Sequence, residues 1–112
     1  MKRVGYKIVA YDSNRYYSLQ SNATINGEIG SIITHPQGIY LGASEEFVKD
    51  YYTGLTDDID ILMTYEFDEQ DIIKNNGSEI LVRQAMLKNK QVLPKQEDFS
   101  FAKWLHHEKL QT

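Results

Sequence analysis

The sequence predicts an α+β fold: a small mixed or antiparallel sheet with one central short helix at about 44–53 and a second helix near the C-terminus. Three observations predict it. Residues 59–67 alternate apolar and polar side chains, the period of a strand. EEFVKDYY, residues 45–52, repeats its apolar residues at helical spacing between a serine and a glycine. Strand-like runs crowd around that helix without the regular strand and helix alternation that a parallel sheet requires.

The elements follow in order. Tyr6 to Tyr11, YKIVAY, is β-branched and aromatic and forms the first strand; Asp12-Ser13-Asn14 is turn chemistry, and Arg15 to Leu19 returns as a short second strand. SNATINGEIG is a loop with Ile25 and Ile29 as its anchors. Ser31 to Thr34 is a strand piece leading into a turn at His35-Pro36-Gln37-Gly38, with Pro36 suited to the second turn position. Gly38 to Leu41 is a strand that stops at Gly42-Ala43.

Ser44 is a good N-cap because its hydroxyl accepts an orphan backbone N–H, and Glu45 and Glu46 stand where the helix dipole favours anions. Phe47, Val48, Tyr51, Tyr52 and then Leu55 recur at helical spacing as one apolar stripe, of which Phe47, Val48 and Tyr51 are expected to be buried, and Gly54 stops the helix. In the strand 59–67, Ile59, Ile61, Met63, Tyr65 and Phe67 form the packed face, while Asp60, Leu62, Thr64 and Glu66 form a mostly wet one. Asp68 opens a single helical turn through Ile73, Lys74 to Ser78 is a turn, and EILVRQAML from Glu79 to Leu87 is another strand. Residues 1–93 then make one domain. Residues 94–112 are a polar linker and an amphipathic C-terminal segment with Phe101, Ala102 and Leu105 along one side.

A chain of 112 residues suits one core and not two, and 41% hydrophobic with 25% charged residues is ordinary for a globular protein. The absence of cysteine removes disulfides and thiolate nucleophiles and fits a cytoplasmic protein. The apolar run of the N-terminus breaks at Asp12, too short for a signal peptide or a membrane span. Charge is uneven. Ten carboxylates (Glu45, Glu46, Asp50, Asp57, Asp58, Asp60, Glu66, Asp68, Glu69, Asp71) fall between Ser44 and Asp71 with one base, Lys49, while the rest of the chain is mildly basic. Such a segment repels nucleic acid directly but steers a protein partner with a basic surface.

Specific chemistry is sparse. Glu79 opens a strand directly after a Gly-Ser turn, where a carboxylate can take hydrogen bonds from a ribose or act as a base. His35 lies in a turn. His106 and His107 are adjacent, about 100° apart on a helix, so they do not form a metal pair and no metal site is expected. Eight tyrosines supply rings that suit a core, an interface or the flat face of a nucleotide.

YKIV near the start, GIYLGAS followed by EEFVKDYY, YEFDEQDII after it and GSEILV later together resemble the order of elements in small, divergent ADP-ribosyltransferase-like domains, including compact ones found in phage genomes. The resemblance covers roughly residues 4 to 87. It implies that Lys7 stands where the family places an arginine or histidine for NAD, that Tyr40 and Ser44 contact the cofactor, and that Glu79 is the catalytic glutamate. Lysine lacks the planar fork of arginine, so the resemblance implies weakened NAD chemistry on a retained fold.

Three functions follow as expectations. The first is a small accessory protein, phage-encoded and anti-CRISPR-like, that inhibits a host or defence protein by docking its ten carboxylates on a basic surface; it needs no cofactor. The second is an NAD-dependent mono-ADP-ribosyltransferase using Glu79, Tyr40 and Lys7. The third is a structural protein that self-associates through its tyrosines.

Overall fold

The alternating stretch forms the longest straight pairing in the molecule, and the rest of the sheet is built out from it. The computed structural model describes residues 1–94. Among the described residues seven strands, β1 (Lys2–Asp12), β2 (Arg15–Ser18), β3 (Thr24–Ile25), β4 (Ile32–Gly42), β5 (Ile59–Asp68), β6 (Ile72–Asn75) and β7 (Glu79–Val92), form one antiparallel sheet with a single α-helix, α1 (Glu45–Tyr52). This is the expected small α+β fold; the expected C-terminal helix lies outside the described residues. No helix among the described residues is long and apolar enough to cross a membrane.

The sheet order is β3-β2-β1-β4-β7-β5, and β5 pairs back onto β1. Strands β1, β5, β7 and β4 therefore close into a ring. One edge of β1 is zipped to β5 from Lys2↔Asp68 to Tyr11↔Ile59. The other edge is divided: β4 touches it at the single pair Tyr6↔Gly42, and β2 takes over from Val9 to Asp12. The divergence of β2 and β4 from that shared edge opens a cleft beside Lys7.

Inside the ring, Val9, Leu41, Met63, Tyr65, Phe67 and Val82 belong to one buried cluster. A second cluster, Ile8, Val48, Leu62 and Leu93, packs α1 against the outside of β1 and β5. The alternation of β5 thus serves two cores. The face expected to be wet holds Leu62 and Asp60, both only 2% exposed, because the helix and Leu93 cover it. Asp60 accepts a hydrogen bond from Gly54 N–H at 2.9 Å, tying down the chain where it leaves α1.

Several local expectations shift for identifiable reasons. Ser13 and Asn14 both adopt positive φ (51° and 64°), the signature of a tight primed hairpin turn, so β2 returns at once. His35-Pro36-Gln37-Gly38 does not separate two strands. It bulges from the continuous β4, which advances from Thr34 to Ile39 while β7 advances only from Gln84 to Val82. Glu69–Asp71 is the expected turn, opened by the Asp68 side chain accepting from Gln70 N–H. Ile72 and Ile73, expected within it, instead begin β6 on the same edge of β7 that β5 uses. Strand β7 runs beyond Leu87 to Val92 because β5 supplies partners as far as Val92.

Candidate functional site

Glycine at position 42 builds the site. Gly42 pairs with Tyr6 on one side and Glu79 on the other, a row that crosses β1, β4 and β7. A Cβ there would stand 2.2 Å from Val48 Cγ1, so only glycine lets α1 press onto the sheet at that point. The chain then turns: Ala43 N–H donates to Ser78 C=O at 2.8 Å, and Ser44 Oγ accepts from Phe47 N–H at 3.1 Å. Val48, 1% exposed, anchors the helix with about 1.5–3 kcal/mol of burial.

The helix carries Tyr52 to Glu79. The Tyr52 hydroxyl donates to Glu79 Oε2 at 3.3 Å, and Asn76 Oδ1 accepts from Glu79 N–H at 2.8 Å, fixing the strand start. Burial, then the Glu79 charge, push the Tyr52 phenol above its ordinary value, so it stays a hydrogen-bond donor. The stripe expected from sequence includes both Tyr51 and Tyr52, with Phe47, Val48 and Tyr51 as its buried members. The structure places Tyr51 outside, 66% exposed and against Phe47 at a ring separation of 4.8 Å, while Tyr52 turns inward. Val48 and Tyr52, four residues apart, form the buried row.

Lys7, Tyr40 and Glu79 line one recess of about 20 Å³ together with Gln20 and Tyr52. It adjoins a cleft of about 550 Å³, with which it shares Lys7, Gln20 and Tyr40 and which runs between residues 18–26 and 33–40. That volume lies within the roughly 300–1,000 Å³ usual for small-molecule sites. Tyr40 is 46% exposed, with its neighbours Ile39 and Leu41 in the core, so strand alternation turns its ring away from the core. Burial holds the Lys7 amine below the ordinary lysine value, opposed by the Glu79 charge. The recess thus combines an aromatic face, a cation and a carboxylate buttressed by a phenol, and the cleft beside it shares the first two.

Ser44 is not among the lining residues; its hydroxyl is used as the helix cap. Tyr52 and Gln20 also line the recess; the sequence places Tyr52 on the apolar stripe of the helix but assigns neither residue to the site. Tyr52 is signalled by its place in that stripe and by the Tyr51-Tyr52 doublet, and nothing in the sequence marks Gln20.

The ten carboxylates do not gather at this cleft. Glu45, Glu46 and Asp50 lie on α1 and Asp57 and Asp58 just before β5, whereas Asp68, Glu69 and Asp71 lie at or beyond the far end of β5, whose ten residues span about 30 Å at the usual rise of a strand. Glu66 is on β5 near that far end, and Asp60 is buried. Several have structural partners: Glu45 pairs with Lys49 at 3.3 Å, Asp58 accepts from the Tyr17 hydroxyl, and Asp71 accepts from Gln84 at 3.2 Å. Asp68 takes Gln70 N–H and lies 3.9 Å from the N-terminal ammonium, which together hold its carboxyl below the ordinary value. No protein-family model, curated protein or solved structure matches this chain, so the meaning of the cleft has to be argued from its own side chains.

Proposed function

We propose that the cleft is a nucleotide site and that the chain is an ADP-ribosyltransferase-like domain acting on NAD. The observation that carries this reading is the meeting of Lys7, Tyr40 and Glu79, distant in sequence, around one recess. In the proposed complex the Tyr40 ring stacks on the nicotinamide and Glu79 accepts a hydrogen bond from a ribose hydroxyl. The Glu79 carboxylate also stabilises the positive charge that develops on the ribose as nicotinamide departs. Tyr52 holds that carboxylate in place, and Lys7 supplies a point charge for a phosphate or ribose oxygen. A lysine gives one charge without the bidentate fork, so this site binds NAD more weakly than an arginine-bearing one.

The test is NAD binding followed by heat denaturation, with transfer of labelled ADP-ribose as the second readout. NAD is expected to raise the melting temperature, Lys7→Arg to enlarge that rise, and Glu79→Gln to abolish transfer while leaving the fold intact. No melting shift and no transfer, in either the unsubstituted chain or Lys7→Arg, sinks the reading. The docking reading has less support, because the carboxylates divide between the two ends of β5 and Asp60 is out of reach.

A further inference from the structure

Lys7 stands at the point where β1 has passed its one pair with β4 and has not yet met β2. Its ammonium makes no hydrogen bond or ion pair with any described residue, although it is only partly exposed. The other described lysines differ. Lys2, Lys74 and Lys88 are exposed to water, Lys49 is paired with Glu45 at 3.3 Å, and Lys90 donates to the Tyr16 hydroxyl at 3.1 Å. Desolvation with no bonded counter-charge, only partly offset by the Glu79 charge, leaves Lys7 a larger share of free amine than an ordinary lysine, and the free amine is the form that adds to carbonyl carbon.

We infer that Lys7 is a reactive amine that condenses with an aldehyde or ketone group of a small molecule held in the cleft, Glu79 shuttling the protons. Glu79, which makes no direct contact with Lys7, first takes a proton from its ammonium through one bridging water. The nitrogen lone pair then adds to the carbonyl carbon while the C=O π pair moves to oxygen. A second proton passes from nitrogen to that oxygen, giving a carbinolamine. Glu79 returns its proton to the hydroxyl, which leaves as water, and the protonated imine remains. One ammonium and one carbonyl give one iminium and one water, with no redox partner. The Tyr52 hydroxyl, 3.3 Å from Glu79 Oε2, keeps the shuttle oriented. Nothing in this chemistry needs NAD, so it stands or falls separately from the nucleotide reading.

Pyridoxal 5′-phosphate, an aldehyde small enough for the cleft, is the probe. The full chain is incubated with it at neutral pH, reduced with cyanoborohydride and mapped by peptide mass spectrometry, alongside a sample unfolded in urea. In the folded chain the label is expected to concentrate on Lys7; in the unfolded chain it spreads over all lysines. Lys7→Arg, which keeps the charge but forms no imine, loses the concentrated label, and Glu79→Gln slows it without changing the weak label on Lys2, Lys74 and Lys88. A folded, unsubstituted chain whose label is distributed as in urea, or is missing from Lys7, overturns the inference without recourse to any variant.

Discussion

The two edges of β1 are built to opposite rules. Along one, every residue from Lys2 to Tyr11 has a partner on β5; along the other, β4 and β2 each take a short share and leave a gap between them. The closed edge maximises ladder hydrogen bonds and core area. The open edge gives up both, and there the molecule gathers a cation, a carboxylate and three tyrosines. Position 7 shows the contrast within one register pair. Lys7 faces the cleft, and its partner across the closed edge, Met63, is 0% exposed in the core. Stability and site chemistry are thus divided between the strand's two sides, which fits the general drawing of functional sites from the weaker parts of a fold.

Breaking the closed edge should have the largest effect. Met63→Ala removes a fully buried side chain between β1 and β7, at an expected cost of about 2–5 kcal/mol in urea unfolding. The remaining folded fraction should still favour Lys7 in aldehyde labelling, because the cleft wall comes from β2 and β4. A loss of less than about 1 kcal/mol would mean that the ring's interior repacks easily and that the closed edge is not the stronger one.

How much of this was legible depends on the range of the interaction. Local signals read correctly: Ser44 caps, Gly54 follows the helix end, Asp68 opens its turn, and the alternation of 59–67 is β5. Long-range pairing was not legible. Nothing near Asp60 reveals that Leu93 donates its N–H to the Asp60 carbonyl or that α1 covers Leu62, so an alternating strand was read as half wet. Ile72 and Ile73 continue a helical-looking DEQD turn locally, and only β7 makes them a strand. The meeting of Lys7, Tyr40 and Glu79 came from the order of motifs, while its cause, the Tyr6, Gly42 and Glu79 row, is a matter of register that sequence does not display.

A smaller effect, of opposite sign, is expected on the open edge. Lys7→Met keeps an unbranched side chain, one atom shorter, and removes a desolvated charge, so it should stabilise the fold by about 1 kcal/mol at neutral pH while abolishing imine formation. The pH dependence sharpens this. Burial puts the folded-state affinity of Lys7 for its proton below the ordinary 10.5. Between the folded value and 10.5 the unfolded chain therefore holds the extra proton, and the stability of the unsubstituted chain rises with pH relative to the variant. The gap between the two should narrow as pH climbs toward 10.5. A constant gap would show that Lys7 carries no desolvation cost, and with it the asymmetry between the edges would lose its electrostatic half.

The smallest effect tests the closed side with the same tool. Tyr65 is 0% exposed in the ring interior, and its hydroxyl has no hydrogen-bond partner among the described residues, unlike that of Tyr52 at the cleft. Tyr65→Phe deletes an unsatisfied buried oxygen and leaves a void of one atom. The lost polar penalty should outweigh the lost contacts, for a gain of up to about 1 kcal/mol, or a few degrees in melting temperature. Burial pushes the Tyr65 phenol above its ordinary 10.0. Above that pH the unfolded chain gives up the proton while the folded chain keeps it, so the unsubstituted protein loses stability there and Tyr65→Phe does not. The Tyr65 gap thus widens with alkalinity where the Lys7 gap closes. Two variants whose pH slopes share one sign would mean that the hydroxyl is wet or bonded after all, and that the core side of β1 is no drier than its cleft side.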